Sequence, residues 1–369
     1  MKPGPQGCAA DASRLSAPPA VTMADVAARA GVSKALVSIV FRSAPGASPE
    51  SRERVMRAAA ELDYRPDHRA RLLGRGRSRT IGVVFGLHRE FHGSLVEYLY
   101  GAADGSGWDL ALGACAPSRN EHTAIRALLE QRCEALLLLG PTMRNGDLAD
   151  LATRLPVVVV ARAVRSNLVD VVRTDDVTGG RLGVEHLAAL GHRSLLHVDG
   201  GRAPGAAERR RGFRRAVVDF GLEGRVLNGG TGDTDGARSA DGVVASWRAA
   251  GAATGITMFN DNSAAGLLAA LRAQRLSVPG DLSLVGYDDT RVAALTGVAL
   301  TTVAQDPQTL ARVAIELATG RIQDRDRPCT EAVVAPSLVV RATTGPRPDR
   351  AKAPPDPITA DHHISLSTA

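Results

Sequence analysis

Aromatic residues are scarce in this sequence, at 3% of 369 residues, so it offers few rings on which a sugar could stack. Cysteine is rarer still, with only Cys8, Cys115, Cys133 and Cys329 scattered along the chain and no C-x-x-C pair among them. This spacing excludes a disulfide-rich scaffold and favours buried, reduced thiols.

Long apolar runs are also missing. No stretch approaches 18 consecutive apolar residues, and residues 1–20 lack the apolar core of a secretory signal peptide. We therefore expect a cytoplasmic protein that makes no contact with a membrane.

The sequence lacks enzyme fingerprints. It contains no G-x-S-x-G, and the glycine-rich stretch 229–232 is not followed by the Gly-Lys-Ser/Thr of a phosphate-binding loop. His88 and His92 have the spacing of two zinc ligands on a helix, but the intervening glutamate is one place late for a metalloprotease and no third ligand is indicated nearby. We interpret the pair as belonging to the surface or a dimer face, and expect no catalytic residue, no metal and no cofactor.

Positive charge is present, and it is confined to one part of the chain. The whole sequence has 45 Lys/Arg and 39 Asp/Glu, a net charge of +6. Residues 21–79 alone hold 12 basic and 6 acidic residues, and 12 − 6 = +6. A small basic module on a nearly neutral body is typical of a protein that binds a polyanion such as nucleic acid.

The basic module begins with the segment TMADVAARAGVSKALVSIVFR, which starts at Thr22. Thr22 and Asp25 form the S/T-x-x-D/E signature of a helix start, and Gly31 suits the left-handed residue of a tight turn. Ser33 is a good N-cap for a second helix, and the Ser-Pro-Glu of 48–50 predicts a third. The segment predicts a helix-turn-helix whose second helix enters the DNA major groove, with an ordinary αα-hairpin as the alternative.

From residue 80 onward, short apolar runs alternate with stretches of helical period. The apolar runs predict buried parallel strands at 80–86, 109–115, 135–140, 157–161, 194–200, 225–229, 255–260 and 282–289. Intervening helices are expected near 95–105, 121–132, 177–190, 207–220, 236–250 and 262–275. Two successive sets of such units predict two doubly wound lobes, with ligands beyond the carboxyl ends of the strands.

The order of these pieces resembles the lac repressor/galactose repressor family of bacterial transcription regulators. The helix-turn-helix residues, SPESRERV at 48–55 and Tyr64-x-Pro66 carry the resemblance, which extends to about Arg341. It implies an α/β protein with an N-terminal helix-turn-helix three-helix head and two doubly wound, periplasmic-binding-protein-like lobes.

The resemblance also implies domain boundaries and crossings between the lobes. We expect a disordered extension at 1–20, the head at 21–65, a hinge helix or linker at 66–79, a two-lobed body at 80–341 and a disordered tail at 342–369. The chain is expected to cross between the lobes near 174–176, 304–306 and 332–336.

For DNA binding, the resemblance implies the second helix and the hinge. The residues are Thr22, Ser33, Lys34, Ala35, Ser38, Ile39 and Arg42 in the head, and Arg69, Ala70 and Leu73 in the hinge. Leu73 occupies the position of a family leucine that wedges into the minor groove. Ile39 and Arg42 depart from the arginine and asparagine of many relatives, so thymine-methyl contacts and DNA shape are expected to carry more of the base recognition.

Between the lobes, the resemblance implies an effector site that contains Arg209, Asn260, Asp288 and Gln305. The planar fork of an arginine suits carboxylate or vicinal hydroxyl oxygens. The neighbouring Asp261 and Asp289 are expected to cap helices.

Three positions depart from relatives that bind sugars. Thr174 and Thr234 stand where those relatives often have aromatic residues, and Ala161 replaces a polar residue. A stacking platform for a sugar ring is therefore not evident, and the effector is expected to be a sugar or another polar metabolite.

We therefore expect a cytoplasmic, nucleoid-associated homodimer that binds a double-stranded DNA operator and a small-molecule effector. The alternatives are a DNA-binding regulator without an effector, a solute-binding protein, and an enzyme on a Rossmann-like sheet. The basic head opposes the second, and the missing nucleotide fingerprints oppose the third. Residues 346–369 contain no leucine heptad, which argues against a tetramerisation helix.

Overall fold

The computed structural model describes residues 21–41, 44–64, 78–249 and 252–349. They form two compact units that separate between Ser78 and Arg79. The described residues include no helix that is both long and apolar enough to cross a membrane.

The first unit is the predicted head. Its helices are α1 (Met23–Ala30), α2 (Lys34–Phe41) and α3 (Pro49–Glu61). Thr22 and Asp25 form a capping box at α1, and Gly31 ends that helix with a left-handed φ of 65°. Ser48 caps α3 through its side chain. The helix starts at Thr22 and Ser48 and the helix end at Gly31, which the sequence predicted, are therefore confirmed.

A core of small apolar side chains holds the three helices together. Val26, Val37 and Val55 are completely buried in it, and alanines of α1 and α3 fill the space between them. Helices of 8 to 13 residues are marginal alone in water, so this shared core stabilises them.

The second unit is a body of twelve strands and ten helices in the described ranges. The strands are β1 (Thr80–Gly86), β2 (Asp109–Cys115), β3 (Ala135–Leu139), β4 (Val157–Val160), β5 (Asp170–Thr174), β6 (Ser194–Asp199), β7 (Glu223–Asn228), β8 (Gly255–Met258), β9 (Ser283–Asp288), β10 (Thr301–Ala304), β11 (Glu331–Val334) and β12 (Ser337–Val339). The helices are α4 (Glu90–Ala103), α5 (Glu121–Glu130), α6 (Asn145–Arg154), α7 (Asp176–Ala189), α8 (Ala206–Asp219), α9 (Asp233–Arg238), α10 (Ala240–Arg248), α11 (Asp261–Ala273), α12 (Arg291–Ala294) and α13 (Pro307–Gln323).

The strands form two six-stranded sheets, one in each lobe. The lobe 1 sheet has the order β11-β5-β4-β3-β1-β2, and the lobe 2 sheet has the order β12-β10-β9-β8-β6-β7. All neighbours pair in parallel except β12, which runs antiparallel to β10. The α/β architecture and all eight predicted strands are confirmed, whereas β5, β10, β11 and β12 were not predicted.

The chain crosses between the lobes three times. The crossings follow β5, β10 and β11, close to the three predicted positions. After the second crossing, α13 returns to lobe 1, where Leu310 and Ala314 join Ile81 in the core of that lobe. Each lobe is therefore built from separate parts of the sequence, and a relative movement of the lobes must bend these three crossings.

The body extends further along the chain than predicted. Ala342 N donates to Ala299 O at 2.8 Å, and Thr343, which is 2% exposed, donates from Oγ1 to Leu284 O at 2.7 Å. Arg347 also bonds to lobe 2 through its backbone. The expected start of a disordered tail at residue 342 is wrong, because this polar segment pairs with backbone groups of lobe 2. The extension at 1–20, most of the hinge at 66–79 and residues 350–369 lie outside the described residues.

Candidate functional site

The first turn of α2 is open on the surface of the head. Of the residues expected to bind DNA, Thr22, Ser33, Lys34 and Ala35 are exposed, and Ser38 and Ile39 are half-buried. Val37 and Val40 face the core. The helix thus has one apolar face and one face that is exposed or half-buried, as a recognition helix requires. Arg42, Arg69, Ala70 and Leu73 lie outside the described residues.

Most of the basic excess follows the three helices. Residues 21–64 hold six basic and five acidic residues, a net charge of 6 − 5 = +1, while residues 65–79 hold six basic and one acidic, a net charge of 6 − 1 = +5. Within the head, Arg29 is paired with Glu61 at 2.5 Å and Arg57 with Glu53 at 2.8 Å. Attraction to DNA phosphates must therefore depend mainly on residues 65–79.

In the body, a cavity of about 210 Å³ separates the two lobes beyond the carboxyl ends of their strands. Its lobe 2 wall contains all four residues expected to bind an effector: Arg209, Asn260, Asp288 and Gln305. Its lobe 1 wall includes His88, Arg89 and His92, which follow β1, and Gly140 and Ala161, which follow β3 and β4.

Arg209, in the first turn of α8, is 6% exposed and has acids on two sides. Its Nε donates to Asp176 Oδ1 at 2.9 Å, and its Nη1 lies 3.4 Å from Asp288 Oδ1. Nη1 also donates to Phe259 O at 2.7 Å, and the guanidinium lies 3.6 Å from the Tyr287 ring centroid. Burial acts to lower the pKa of Arg209, but Asp176 and Asp288 more than offset it and the pKa is raised. The guanidinium of Arg209 is thus held in place, and its positive charge is neutralised by the two carboxylates.

Two glycines place Arg209 beside Asp176, because they let α7 and α8 pack in close contact. A Cβ on Gly180 would lie 2.3 Å from the Arg209 carbonyl oxygen, and a Cβ on Gly212 would lie 2.1 Å from Val177 O. Any larger residue would push the two helices apart and lengthen the ion pair.

Asp288 connects Arg209 to the crossings between the lobes. Gln305 Nε2 donates to Asp288 Oδ1 at 2.6 Å, and Thr174 Oγ1 donates to Gln305 Oε1 at 2.8 Å. Thr174 is the last residue of β5, and Gln305 directly follows β10, so both lie at crossings. We call the chain of contacts from Asp176 through Arg209, Asp288 and Gln305 to Thr174 the hinge network. Thr174 is completely buried within it and is absent from the cavity wall.

Both the burial and the backbone conformation of Asp288 are energetically unfavourable. Burial raises its pKa, although Arg209 and Gln305 both act to lower it. Its φ of 111° lies in the left-handed region, as does that of the next residue, Asp289 (52°), and those of Ala161 (58°) and Asp306 (51°) after β4 and β10. Such conformations cost about 1–3 kcal/mol each and persist where the surrounding structure enforces them.

Asn260, and not Asp261, caps the helix that follows β8, and Asn260 also lines the cavity. Asn260 Oδ1 caps α11 by accepting from Ser263 N at 2.9 Å, and its Nδ2 donates to Thr231 O at 2.9 Å. Asp261, expected to be a cap, is completely buried and accepts from Thr290 N at 2.7 Å. The expectation for Asp261 is wrong because the helix begins one residue earlier than a cap at that position requires.

Asp289 is not a helix cap either. The short helix that follows it has Thr290 at its N-cap, and Asp289 accepts from Arg341 Nη2 at 2.7 Å. This ion pair connects the loop after β9 to the segment after β12.

The expectation of a surface or dimer-face histidine pair is wrong for His92. This residue is 5% exposed, and its Nδ1 accepts from Gly86 N at 3.0 Å. Burial and the charge of Arg89 lower the pKa of His92 to about 3, so the ring is neutral and its proton lies on Nε2. His88 precedes α4 rather than lying on it, and the described residues show no cluster of His, Cys, Asp and Glu suited to a metal.

Sequence reasoning missed the lobe 1 wall, although a signal for it was present. His88, Arg89 and His92 follow β1 as Asn260 and Asp288 follow strands of lobe 2. The same rule about carboxyl ends of parallel strands applies to both lobes.

Comparison with known proteins places these features in one family. Residues 22–67 match the model of bacterial regulatory proteins of the lacI family, and residues 184–344 match a periplasmic binding protein-like domain. The HTH-type transcriptional regulator GalS of Salmonella typhimurium is 32% identical over 302 residues, which cover 81% of this chain and 89% of that protein.

Solved structures agree with this assignment. A LacI transcriptional regulator from a Rhodococcus species is 44% identical with a TM-score of 0.70, and the match covers 73% of this chain and 100% of that one. The lac repressor dimer bound to operator and the anti-inducer ONPF is 27% identical with a TM-score of 0.76, over 88% of this chain and 99% of that one. The chain belongs to the LacI family of bacterial transcription regulators.

Proposed function

We propose that this chain is a homodimeric repressor that binds a double-stranded operator through its head and residues 65–79. A small polar molecule bound between the lobes of the body controls its affinity for that operator. The observation that carries this proposal is the convergence of all four expected effector residues on one cavity, with three of them inside the hinge network.

DNA recognition is assigned to the face of α2 that points away from the core of the head. Ser33, Lys34 and Ala35 stand at its exposed first turn, where side chains meet base edges in the major groove. Ser38 is assigned to a phosphate, and Ile39 to contact with a thymine methyl group. In the hinge, Leu73 is assigned to the minor groove, with Arg69 and Ala70 beside it.

The hinge network supplies a physical route from ligand to operator. Asp288 and Gln305 line the cavity, while Thr174 and Gln305 stand at two crossings between the lobes. A ligand that contacts Asp288 or Gln305 therefore acts on the segments that bend when the lobe angle changes. That angle sets the spacing of the two hinge segments of the dimer and hence their ability to fold on DNA. A coupling free energy of about 1–3 kcal/mol, fivefold or more in affinity, is typical of such control.

We also infer where in the cell the protein acts, and we expect it to have no catalytic activity. A repressor acts where the chromosome is, so we assign the protein to the cytoplasm and the nucleoid. The relatives named above are regulators.

A regulator without an effector is the second candidate. Thr174 is buried in the hinge network, Thr234 is exposed and Ala161 is small, so none of the three offers a ring for a sugar to stack on. This candidate predicts operator binding that no metabolite alters.

One experiment separates the candidates. Full-length protein selects fragments from its own genome, and fluorescence anisotropy then gives the operator Kd with and without the small-molecule fraction of a cell extract. We expect an enriched, nearly palindromic site whose Kd changes fivefold or more with the extract. Enrichment without any response would support the second candidate, and no enrichment at all would contradict DNA binding.

A further inference from the structure

The cleft contains a second arginine, Arg89, whose situation is the opposite of that of Arg209. It is half-buried at the start of α4 and lines both the 210 Å³ cavity and an adjoining cavity of about 410 Å³ on the lobe 1 side. Within the described residues, its guanidinium donates no hydrogen bond and has no carboxylate within 4.0 Å. Burial lowers the pKa of Arg89, and the longer-range attraction of Glu121 and Asp288 does not offset this effect.

The two carboxylates whose charge acts most strongly on Arg89 are already engaged by other groups. Glu121 accepts from Thr142 N at 2.7 Å and from Met143 N at 3.0 Å. Asp288 belongs to the hinge network. Of the two arginines that line the 210 Å³ cavity, Arg209 is paired with carboxylates and Arg89 has no such partner among the described residues.

The surroundings of Arg89 also favour a negatively charged ligand group. Four residues line both cavities: His88, Arg89, His92 and Gly140. None of the four is acidic. His92 is nine-tenths buried, and within the described residues its Nε2 has no hydrogen-bond partner. A Cβ on Gly140 would lie 3.0 Å from this Nε2, so the nitrogen lies beside a residue that lines both cavities. The α4 N-terminus also lacks a side-chain cap.

We propose that the effector carries an oxyanion group, a carboxylate or a phosphate, which binds at this junction. Arg89 supplies the charge, and neutral His92 supplies a hydrogen-bond donor from Nε2. The remainder of the molecule extends toward Asp288 and Gln305 on the opposite wall. This inference rests on the proposed effector site and specifies the chemical class of its ligand.

The test fractionates the small-molecule extract on an anion-exchange resin. The bound and eluted fraction and the neutral flow-through are each titrated into the protein on its selected genomic fragment. We expect the eluted, anionic fraction alone to change the operator Kd. Activity confined to the flow-through would overturn the oxyanion but leave effector control intact, whereas activity in neither fraction would overturn both.

Variants then locate the group. Arg89→Gln is expected to need about tenfold or more of the eluted fraction for half of its own maximal response, as the loss of a charge-assisted hydrogen bond implies. Arg89→Lys should retain part of the response. Arg126→Gln is the matched control, since it removes the same charge from an exposed position of lobe 1 and should respond like the parent. An Arg89→Gln protein that also responds like the parent, with an unchanged thermal melt, would overturn the site.

Alkaline phosphatase distinguishes the two oxyanions. Treatment of the eluted fraction should abolish its effect if the group is a phosphate monoester and leave it unchanged if the group is a carboxylate. Inorganic phosphate and gluconate, titrated by calorimetry into the parent and Arg89→Gln proteins, provide defined probes of each class. Equal heats of binding in the two proteins would count against Arg89 as the residue that binds the oxyanion.

Discussion

Replacing Arg209 with alanine is the substitution for which the structure gives the largest expected effect. It removes the guanidinium that lies between Asp176 and Asp288 and the donor to Phe259 O. Removing one partner of a buried ion pair costs about 3–5 kcal/mol, because the remaining charge stays buried and unpaired. We therefore expect Arg209→Ala to destabilise lobe 2 by about that amount, in addition to any effect on ligand binding.

The loss should depend on pH. The pKa of Asp288 is raised in the folded protein, so the folded state binds its proton more tightly than the unfolded state does. For such a group, stability is highest below the unfolded pKa of about 4 and falls as pH rises through the folded pKa. Without Arg209 the pKa rises further, so the cost of the substitution should be larger at pH 7.5 than at pH 5. Adding Asp288→Asn should recover part of the loss at pH 7.5.

Two tryptophans make the effect measurable in one lobe. Trp108 packs against the lobe 1 core, while Trp247 packs in lobe 2 and donates to Asp281 O at 3.2 Å. In a Trp108→Phe background, fluorescence during urea unfolding reports on lobe 2 alone. With a slope of about 2 kcal/mol per molar urea, the expected shift of the midpoint is about 1.5–2.5 M.

Arg211→Ala is the control on the same helix. Its side chain is 49% exposed and, among the residues that the structure describes, pairs only with Glu208, so the expected change is under about 1 kcal/mol. If Arg209→Ala unfolds at the midpoint of Arg211→Ala, or shows no difference between the two pH values, the ion pairs of Arg209 do not hold lobe 2 together.

The log–log dependence of DNA affinity on salt should be steep, about one unit per phosphate contacted, and should flatten when arginines of 65–79 become glutamine; a flat response in the parent would contradict binding through charge. Leu73→Ala should weaken binding to the selected operator while barely changing binding to random DNA, and an equal loss on both would indicate that Leu73 only supports folding. Gly286→Ala should destabilise lobe 2 by about 1–3 kcal/mol in urea unfolding, because the added Cβ would lie 2.3 Å from Asp261 Oδ1. Gly297→Ala is its control, since a Cβ there would meet no atom of the described residues within 4 Å, and an equal midpoint for both variants would refute the clash.

The strands that could be predicted carry their signal in one continuous run. The four valines of β4 and the five apolar residues of β3 indicate buried strands without knowledge of the rest of the chain. In contrast, β10, β11 and β12 have three or four residues each and no long apolar run. They are strands because the crossings place them against β9, β5 and β10, which local sequence does not reveal.

The same limit applies to the cleft. Asn260 and Asp288 were identified because family resemblance and the strand-end rule both pointed to them. The neutralisation of Arg209 by Asp176 depends on close contacts at Gly180 and Gly212, which are far apart in sequence from their partners. The spacing of His88 and His92 suggested a helix face, whereas α4 begins only at Glu90 and buries His92 at the cleft. Such features arise from packing between elements, and single-sequence patterns do not record them.

Thr174→Val tests most directly whether the hinge network carries the signal from the cleft to the operator-binding segments. Thr174 contacts Gln305 but does not line the cavity, so the substitution should leave direct contacts with the ligand in place. The measurement is the ratio of operator Kd with and without the active metabolite fraction, taken by fluorescence anisotropy for the parent and the variant. We predict a ratio of fivefold or more for the parent and a ratio close to one for Thr174→Val. An unchanged ratio in a variant that folds and binds operator normally would contradict the account.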